Sequence, residues 1–325
     1  MQIKKNCRCR ICQTIDNHPV WIAREMMFGT GENFEYFQCT CCSCLQLLDI
    51  PDLSKHYPAN YYSLTQPDLS FMSGLRWKLK KSFYRAMISG NAFSKTLSRI
   101  ILPKCRFLFL YPLRLKTTDR ILDIGCGNGK QYLLPLCESG YSNVFGIDPF
   151  LSENIEYPNG LTIQKTTIDK IKDKFDLIMF HHSLEHIVNQ DEVISSISSI
   201  LKPNGTCIIS IPVSDSFAWE KFSINWYQLD APRHIFLHTR KSLALLLQHN
   251  GLQIVDVRYN SSFFQFVQSN QYKKNIPMSQ NYRPSFLKRK IDRWFYAAWS
   301  ILLNKQQRGD QAIFYIRHIS NLPIS

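Results

Sequence analysis

Short apolar runs alternate with amphipathic segments between residues 119 and 262, and turn-forming residues bound each run. Apolar runs of this length are typical of strands that are buried on both faces. Helices are predicted over Asp191–Leu201 and from an N-cap at Thr239 to Gly251. The alternation predicts an α/β fold built on a parallel sheet. The predicted strands are Arg120–Ile124, Asn143–Asp148, a short run near Thr162, Phe175–Phe180, Thr206–Ile211, Gln253–Tyr259 and Gln311–His318.

Composition divides the 325 residues into three predicted parts. Residues 1–65 hold the clustered cysteines, residues 66–118 form a basic helical linker or lid, and residues 119–325 form the α/β domain. A basic, aromatic insertion over residues 263–310 precedes the last strand. The net charge of +14 suits an anionic partner, such as a membrane face, the diphosphate of a nucleotide sugar or RNA. A solvated helical lid is the alternative for both basic segments.

The sequence contains no run of about 18 uncharged apolar residues, which a spanning helix needs. The first residues, MQIKKNCRCRIC, show no apolar signal core. We therefore expect a cytoplasmic protein. Its basic segments could in addition bind peripherally to the inner face of the membrane. In the cytoplasm the eleven cysteines stay reduced. Clustered cysteines are then interpreted as metal ligands.

Two Cys-x-x-Cys pairs, separated by 28 residues, predict a structural zinc site near the N-terminus. Each pair can bind one edge of the metal from a tight turn. Cys39 and Cys42 offer an alternative second pair, and Cys7 is a further thiol, so the register is open. The predicted zinc ligands are Cys9, Cys12, Cys41 and Cys44.

The segment Arg120–Lys130 reads RILDIGCGNGK, in which an apolar strand ends in three alternate glycines. Glycines at such a turn let the backbone approach a ligand closely. Asp123 stands just before the glycines. A second acid, Asp148, ends the next strand in the sequence VFGIDP, where a carboxylate can accept hydrogen bonds from both hydroxyls of a ribose.

The motifs LDIGCGNG and GIDP together resemble the S-adenosylmethionine site of class I methyltransferases, which have a Rossmann-like sheet. Their G-x-G-x-G spacing differs from the G-x-G-x-x-G of dinucleotide sites. Two later segments agree with the same family, FDLIMFHHSLEHI at 175–187 and LKPNG at 201–205. The resemblance covers roughly residues 115–262.

This resemblance implies S-adenosylmethionine as the cofactor and assigns residues to it. Asp123 would lie near its amino group, and Asp148 would hold its ribose. His181, just past the fourth strand, would face both the cofactor and the acceptor. The other implied contacts are Gly125, Gly127 and Gly129 at the methionine part, with Thr167 and Ile168 beside the adenine.

Methyl transfer to a hydroxyl or an acidic carbon also needs a base, and histidine is suited to that role near neutral pH. His234 is the leading candidate, followed by His181 and His186. The segment around His234 is similar to one in bacterial sugar C-methyltransferases, which also carry an N-terminal zinc ribbon. Ala231 and Arg233 replace the tyrosine and glutamate of those enzymes, so oxygen is favoured over carbon as the acceptor atom. Arg233 could clamp a phosphate or carboxylate.

The predicted function is methyl transfer to a small-molecule or sugar-type acceptor, including phosphate- or lipid-linked ones, in glycan or secondary-metabolite synthesis. Methylation of RNA or protein is the main enzymatic alternative, although nucleic acid is the less favoured partner. A non-catalytic binding protein with the same fold is the other alternative. The three glycines and both acids argue against it, because a protein that only binds a partner need not keep a cofactor site.

Overall fold

The computed structural model describes residues 4–57, 74–94, 107–280, 282 and 285–319. The predicted boundary at residue 65 and much of the basic segment 66–118 lie outside the described residues. The helices, named α1 to α7 in chain order, are Gly74–Ile88, Leu133–Glu138, Gln190–Ile200, Phe217–Phe222, Arg240–His249, Phe264–Lys273 and Phe286–Lys305. The strands, β1 to β13, are Lys4–Arg8, Ile15–Arg24, Asn33–Gln38, Leu45–Leu47, Ile121–Ile124, Val144–Ile147, Ile155–Glu156, Thr162–Gln164, Phe175–His181, Leu201–Pro212, Phe236–Leu237, Leu252–Tyr259 and Gln311–His318.

The predicted strands and helices are present with ends shifted by a few residues, and the α/β fold is confirmed. The chain forms two compact units. The first unit comprises Met1–Pro58, His182–Ser195 and Ile209–Ser325, and the second unit comprises Ala59–His181 and Ser196–Ile208. The division into residues 1–65, 66–118 and 119–325 stays a prediction.

The second unit holds a mostly parallel sheet in the order β9-β5-β6-β8-β7, and it also contains the first part of β10, up to Ile208. β5 lies between β6 and β9 and is parallel to both, with Asp123 level with Gly146 and Met179. β7 is antiparallel to β8 at the edge. Ile121, Leu177 and other apolar strand residues are fully buried, which explains their continuous apolar runs.

The first unit contains an antiparallel sheet in the order β1-β2-β3-β4-β11. Four of these strands come from the first 50 residues, but β11 is formed by Phe236 and Leu237, which pair with Gln46 and Leu45 of β4. The cysteine-rich segment and the segment after β10 therefore share one sheet. β12 and β13 form a second antiparallel pair.

Local signals explain where α5 begins. Thr239 is its N-cap, as predicted, and its hydroxyl accepts a hydrogen bond from the Ser242 amide at 3.1 Å. The Ser242 hydroxyl accepts one in return from the Thr239 amide at 2.9 Å, which completes a capping box. This cap fixes the backbone conformation at Thr239, the residue that directly follows His238.

The longest described helix, α7, carries large apolar side chains in solvent. Leu287, Ile291 and Trp294 follow helical spacing and are 69%, 58% and 76% exposed. Arg289, which is also exposed, lies among them. Across the described part of the chain, every helix is too short or too polar to cross a bilayer.

Candidate active site

A glycine-rich loop follows β5 in the second unit, and its backbone conformation explains its composition. Gly125, Gly127 and Gly129 have positive φ angles of 72°, 55° and 69°. This left-handed region favours glycine, because a Cβ there approaches the backbone too closely. At Gly129 a Cβ would also lie 2.4 Å from Cδ1 of Ile163. The loop therefore presents bare backbone at the carboxyl end of the parallel strands, where open α/β sheets bind ligands.

Asp148 directly follows β6 and holds this loop in shape. Its Oδ2 accepts a hydrogen bond from the Gly127 amide at 2.8 Å, and its Oδ1 accepts one from the Phe150 amide at 2.9 Å. The side chain is almost completely buried. A carboxylate oxygen can accept more than one hydrogen bond, which is the chemistry that a ribose diol requires. The position of Asp148 therefore suits the predicted ribose contact, which stays a prediction.

Asp123 is a buried acid in the middle of β5. It is 3% exposed, and its Oδ1 has no hydrogen-bond partner. Burial, and then the negative charge of Asp148, raise the pKa of Asp123 well above its usual range. A buried carboxylate without a partner is costly unless a cation approaches it. The ammonium group of S-adenosylmethionine is such a cation, so this carboxylate fits the predicted cofactor.

His181, the last residue of β9, lies in an aromatic cluster of the second unit. Its ring stacks on Tyr132 with the centroids 3.9 Å apart and meets Phe109 edge-on at 4.9 Å. Thr167 is exposed and precedes a short 3-10 helix that begins at the buried Ile168. The contacts assigned to His181, Thr167 and Ile168 with cofactor and acceptor stay predictions.

Four cysteines of the first unit bring their Sγ atoms within 4.8 Å of one another. The Sγ–Sγ distance is 3.6 Å between Cys9 and Cys42 and 3.4 Å between Cys12 and Cys39. Two backbone amides also lie 3.4 Å from Cys39 Sγ. Four clustered thiols, held by turns whose amides face the sulfur, are the donor set of a closed zinc site.

The backbone of the two cysteine turns shows which residues correspond. In each turn the amide of the first cysteine donates to the carbonyl five residues later, and the amide four residues later donates back to its carbonyl. Cys9 and Cys39 are the first cysteines of these two turns. Cys12 and Cys42 are therefore the equivalent second members, three residues further on.

This correspondence corrects the predicted ligand set, in which Cys41 and Cys44 formed the second pair. Cys41 is exposed, and it lies between the two cysteines that join the cluster. Cys44 is buried elsewhere, with its Sγ 3.6 Å from the Leu237 carbonyl oxygen and 4.0 Å from His238 Nδ1. The alternative second pair that the sequence left open is the one that the fold assembles.

A carboxylate and two imidazoles form a second cluster within the first unit. Glu185 and His186 belong to a 3-10 helix, and His234 lies in the segment before β11. The His186 and His234 rings are 4.8 Å apart. His186 Nδ1 lies 2.9 Å from the Arg233 carbonyl oxygen, and His234 Nδ1 lies 2.7 Å from the Gln228 carbonyl oxygen. Two predicted catalytic histidines are therefore neighbours, whereas His181 belongs to the second unit.

Burial shapes the ionisation of this cluster. Burial raises the pKa of Glu185, but the contact with His182 Nδ1 at 3.4 Å and the interactions with His186 and His234 outweigh it and lower the pKa to about 2. Burial, and then the proximity of His186, lower the pKa of His234 to about 4. At neutral pH this cluster therefore contains a carboxylate beside a neutral imidazole.

The guanidinium of Arg233, which the sequence suggested as a clamp for an anionic acceptor, is fully buried and has internal partners. It lies 3.1 Å from a Glu25 oxygen and 2.5 Å from an Asp230 oxygen. Glu25 also accepts hydrogen bonds from four successive backbone amides, those of residues 27–30. Arg233 therefore anchors its own segment to the N-terminal sheet, and the clamp prediction is wrong.

Sequence reasoning missed the N-terminal residues that support the histidines. Tyr36 donates a hydrogen bond to the His234 carbonyl oxygen at 2.8 Å, and the Tyr57 hydroxyl lies 3.0 Å from His186 Nδ1. These partners are separated by more than 120 residues in the chain. Tyr36 lies on β3 of the shared sheet and Tyr57 follows the short 3-10 helix Leu53–His56, so only the folded first unit brings these tyrosines to the histidines.

We expect Arg233→Met to reduce the free energy of unfolding by about 3–5 kcal/mol, because Glu25 and Asp230 would remain buried without their cation. Urea unfolding followed by circular dichroism measures this loss. Arg258→Met is the matched control, since its ion pair with Asp256 is about half exposed and should contribute about 1 kcal/mol or less. Equal losses in the two variants would contradict the structural role of Arg233.

Comparison with known families agrees with the geometry of the cofactor loop. A family described as a methyltransferase domain matches residues 95–257, which is half of the chain. A structure of an S-adenosylmethionine-dependent methyltransferase from Archaeoglobus fulgidus is 18% identical, with 74% of this chain and 99% of that chain covered and a TM-score of 0.39.

Curated relatives match the same region. The ubiquinone biosynthesis O-methyltransferase of Bartonella bacilliformis is 30% identical over 163 residues, covering 43% of this chain and 64% of that protein. The enzyme of the same name from Rickettsia typhi is 38% identical over 101 residues, covering 28% of this chain and 40% of that protein. The chain thus spans less than two thirds of the length of these relatives. With half of its residues matched by the family and the glycine loop and both acids in place, the chain belongs to the class I S-adenosylmethionine-dependent methyltransferases.

Proposed function

We propose that this protein transfers a methyl group from S-adenosylmethionine to an oxygen atom of a small molecule. The observation that carries the proposal is the buried side chain of Asp123 beside the glycine loop, because its Oδ1 has no hydrogen-bond partner among the described residues and a cationic ligand would satisfy it. The curated relatives named O-methyltransferases support oxygen as the acceptor atom. Their names refer to ubiquinone biosynthesis, and we use them here only for the acceptor atom and not for the identity of the acceptor molecule.

In this proposal the second unit holds the cofactor. Asp123 receives the amino group, Asp148 receives the ribose, and the loop of Gly125, Gly127 and Gly129 lies against the methionine part. Thr167 and Ile168 flank the adenine, and His181 closes the site as an aromatic wall. When bound, S-adenosylmethionine supplies an electrophilic methyl group on a sulfonium. The residues that hold it therefore contribute alignment and exclusion of water.

His234 and His186 are the residues that we propose to act on the acceptor hydroxyl. A carbonyl oxygen only accepts hydrogen bonds, so the Nδ1 atoms of His186 and His234 carry their protons. Each Nε2 atom then has a lone pair with which to act on a hydroxyl. Because the pKa of His234 is about 4, its imidazole stays neutral and able to do so at pH 7. We propose His234 as the main acceptor-side residue and His186 as its partner.

The cysteine cluster is proposed to hold one structural zinc ion through Cys9, Cys12, Cys39 and Cys42. A site with four thiolate ligands has no open position for chemistry. Its role is to hold the antiparallel sheet in which β4 pairs with β11. Since β11 begins two residues after His234, the zinc would position this histidine indirectly.

A sugar-type acceptor carried on a lipid suits the surface of α7. The exposed Leu287, Ile291 and Trp294 form an apolar stripe, and Lys290 and Arg293 lie beside it. Apolar residues flanked by cations are typical of helices that lie in an anionic membrane interface. We therefore place glycan synthesis on a lipid carrier ahead of soluble secondary metabolites.

The test is to incubate the full chain with methyl-labelled S-adenosylmethionine and an extract of the source cells, and then to fractionate the label. We expect label in the organic-extractable or saccharide fraction, released as methyl iodide by hydriodic acid because this reagent cleaves O-methyl groups. The Asp148→Ala variant serves as the inactive control. Label that is sensitive to nuclease or protease would replace the proposal with RNA or protein methylation. Absence of label above the control would favour a binding protein.

A further inference from the structure

The cluster of Glu185, His186 and His234 has the composition of a metal site as well as that of an acid–base pair. One ligand atom from each residue lies within 4.8 Å of the others. Glu185 is fully buried, His234 is 5% exposed and His186 is half-buried. Two imidazoles and a carboxylate on one side of an ion leave its other positions open, as in catalytic metal sites.

The hydrogen bonding of both histidine rings also supports a metal site. The Nδ1 atoms of His186 and His234 lie 2.9 and 2.7 Å from the carbonyl oxygens of Arg233 and Gln228, which only accept hydrogen bonds, so we assign the proton of each ring to Nδ1. The Tyr57 hydroxyl, 3.0 Å from His186 Nδ1, is a second partner of this atom. Histidines that bind metals through Nε2 are held in this manner, because the second hydrogen bond fixes the tautomer and raises the basicity of the ligand atom. In this protein the carbonyls of Arg233 and Gln228 fix the orientation of the two neighbouring imidazole rings.

The carboxylate supplies an independent observation. Among the described residues, no hydrogen bond of regular geometry reaches either oxygen of Glu185, although the side chain is completely buried. Its ion-pair contacts are with His182 Nδ1 at 3.4 Å and His234 Nε2 at 3.9 Å. The neighbouring Glu25 and Asp230 both have the guanidinium of Arg233 as their cation. Glu185 has neither a guanidinium nor an ammonium group within ion-pair distance among the described residues.

We propose that Glu185, His186 and His234 bind one divalent transition-metal ion, with imidazole nitrogens and a carboxylate oxygen as its protein ligands. A divalent cation neutralises the buried carboxylate and uses one nitrogen lone pair of each imidazole. The N/O donor set suits Mn²⁺ or Zn²⁺, whereas the thiolate cluster selects zinc. The ion is therefore separate from the structural zinc.

Such an ion would refine the proposed O-methylation, on which this step rests. An acceptor hydroxyl bound at an open position loses its proton to solvent more readily, because the cation stabilises the resulting oxyanion. His234 would act as a ligand in this scheme, and the proton would leave to water.

Titration of the full, zinc-loaded chain with Mn²⁺, followed by electron paramagnetic resonance of the free ion, tests the site directly. We expect one Mn²⁺ per chain in the unaltered protein. Glu185→Gln and His234→Ala should each weaken binding by more than the roughly 10–100-fold that a supporting residue contributes. His249→Ala is the matched control, since this exposed histidine lies at the end of α5. Circular dichroism of each variant checks that it is folded.

Several outcomes would overturn the metal site. One is an unaltered protein that binds no Mn²⁺, and another is equal binding by Glu185→Gln and His249→Ala. Methyl transfer that proceeds equally with and without added Mn²⁺ would remove the metal from the reaction and leave the proposed function standing. Stoichiometric Mn²⁺ binding that Glu185→Gln abolishes, in a chain that methylates nothing, would support the site and remove the proposed function. The two proposals therefore fail separately.

Discussion

The Cys39→Ser variant is expected to lose the zinc ion, and its N-terminal antiparallel sheet is expected to unfold. The Cys41→Ser variant should keep both the zinc ion and the folded sheet. Cys39 lies in the cluster of four sulfurs, and Cys41 is exposed outside it. Structural zinc contributes about 10 kcal/mol or more to folding in small modules, so the loss of one thiolate should be decisive. Zinc content by mass spectrometry and far-ultraviolet circular dichroism measure the two effects. The unaltered chain, purified without added metal, should contain close to one zinc ion.

The pairing of the two variants makes this result specific. Both replace a thiol with a hydroxyl within one turn, so a general effect of cysteine loss would appear in both. Zinc lost from Cys41→Ser but kept in Cys39→Ser would restore the register first expected from the sequence. A metal-free chain of unchanged stability would end the zinc proposal. Because β11 pairs with β4, unfolding of this sheet should also abolish methyl transfer, since it releases the segment that holds His234.

Asp148→Ala should weaken the binding of S-adenosylmethionine by about 100-fold or more. The substitution removes the proposed ribose acceptor, and hydrogen bonds to a charged group contribute about 1.5–3 kcal/mol each. It also removes the acceptor for the Gly127 amide, so the glycine loop loses part of its support. Titration calorimetry measures the dissociation constant directly.

Asp173→Ala is the control for this experiment, because the Asp173 carboxylate lies in the same unit and is 65% exposed. We expect its affinity for the cofactor to match that of the unaltered chain. Unchanged affinity in Asp148→Ala would exclude Asp148 from the site. Asp148→Asn separates the two contributions, since it keeps one acceptor oxygen for the loop but loses the negative charge.

Much of the cofactor region was predictable from sequence because its determinants are local. A glycine is needed wherever the backbone has a positive φ, and Gly125, Gly127 and Gly129 all do. Apolar runs indicate buried strands, and the apolar run of β13 begins and ends at the predicted residues. The sheet also fixes the position of an acid that directly follows a strand, and Asp148 therefore lies beside the glycine loop.

The cysteine register could not be fixed in this way. The sequence CTCCSC contains two overlapping Cys-x-x-Cys pairs, and both have the spacing of a zinc turn. The choice depends on where β3 ends and the turn begins. In the structure β3 ends at Gln38, so the next residue, Cys39, takes the position that Cys9 takes after β1.

The sequence by itself therefore determined the α/β fold, the cofactor motifs and the presence of a cysteine-rich module, since each follows from residues close together in the chain. Only the tertiary structure decided that Glu185 meets His234, that Arg233 is neutralised by Glu25, and that a strand near His234 joins the N-terminal sheet. These contacts join residues tens to hundreds of positions apart. Their energies come from burial and charge pairing in the folded chain, and neither leaves a periodic signal in the sequence.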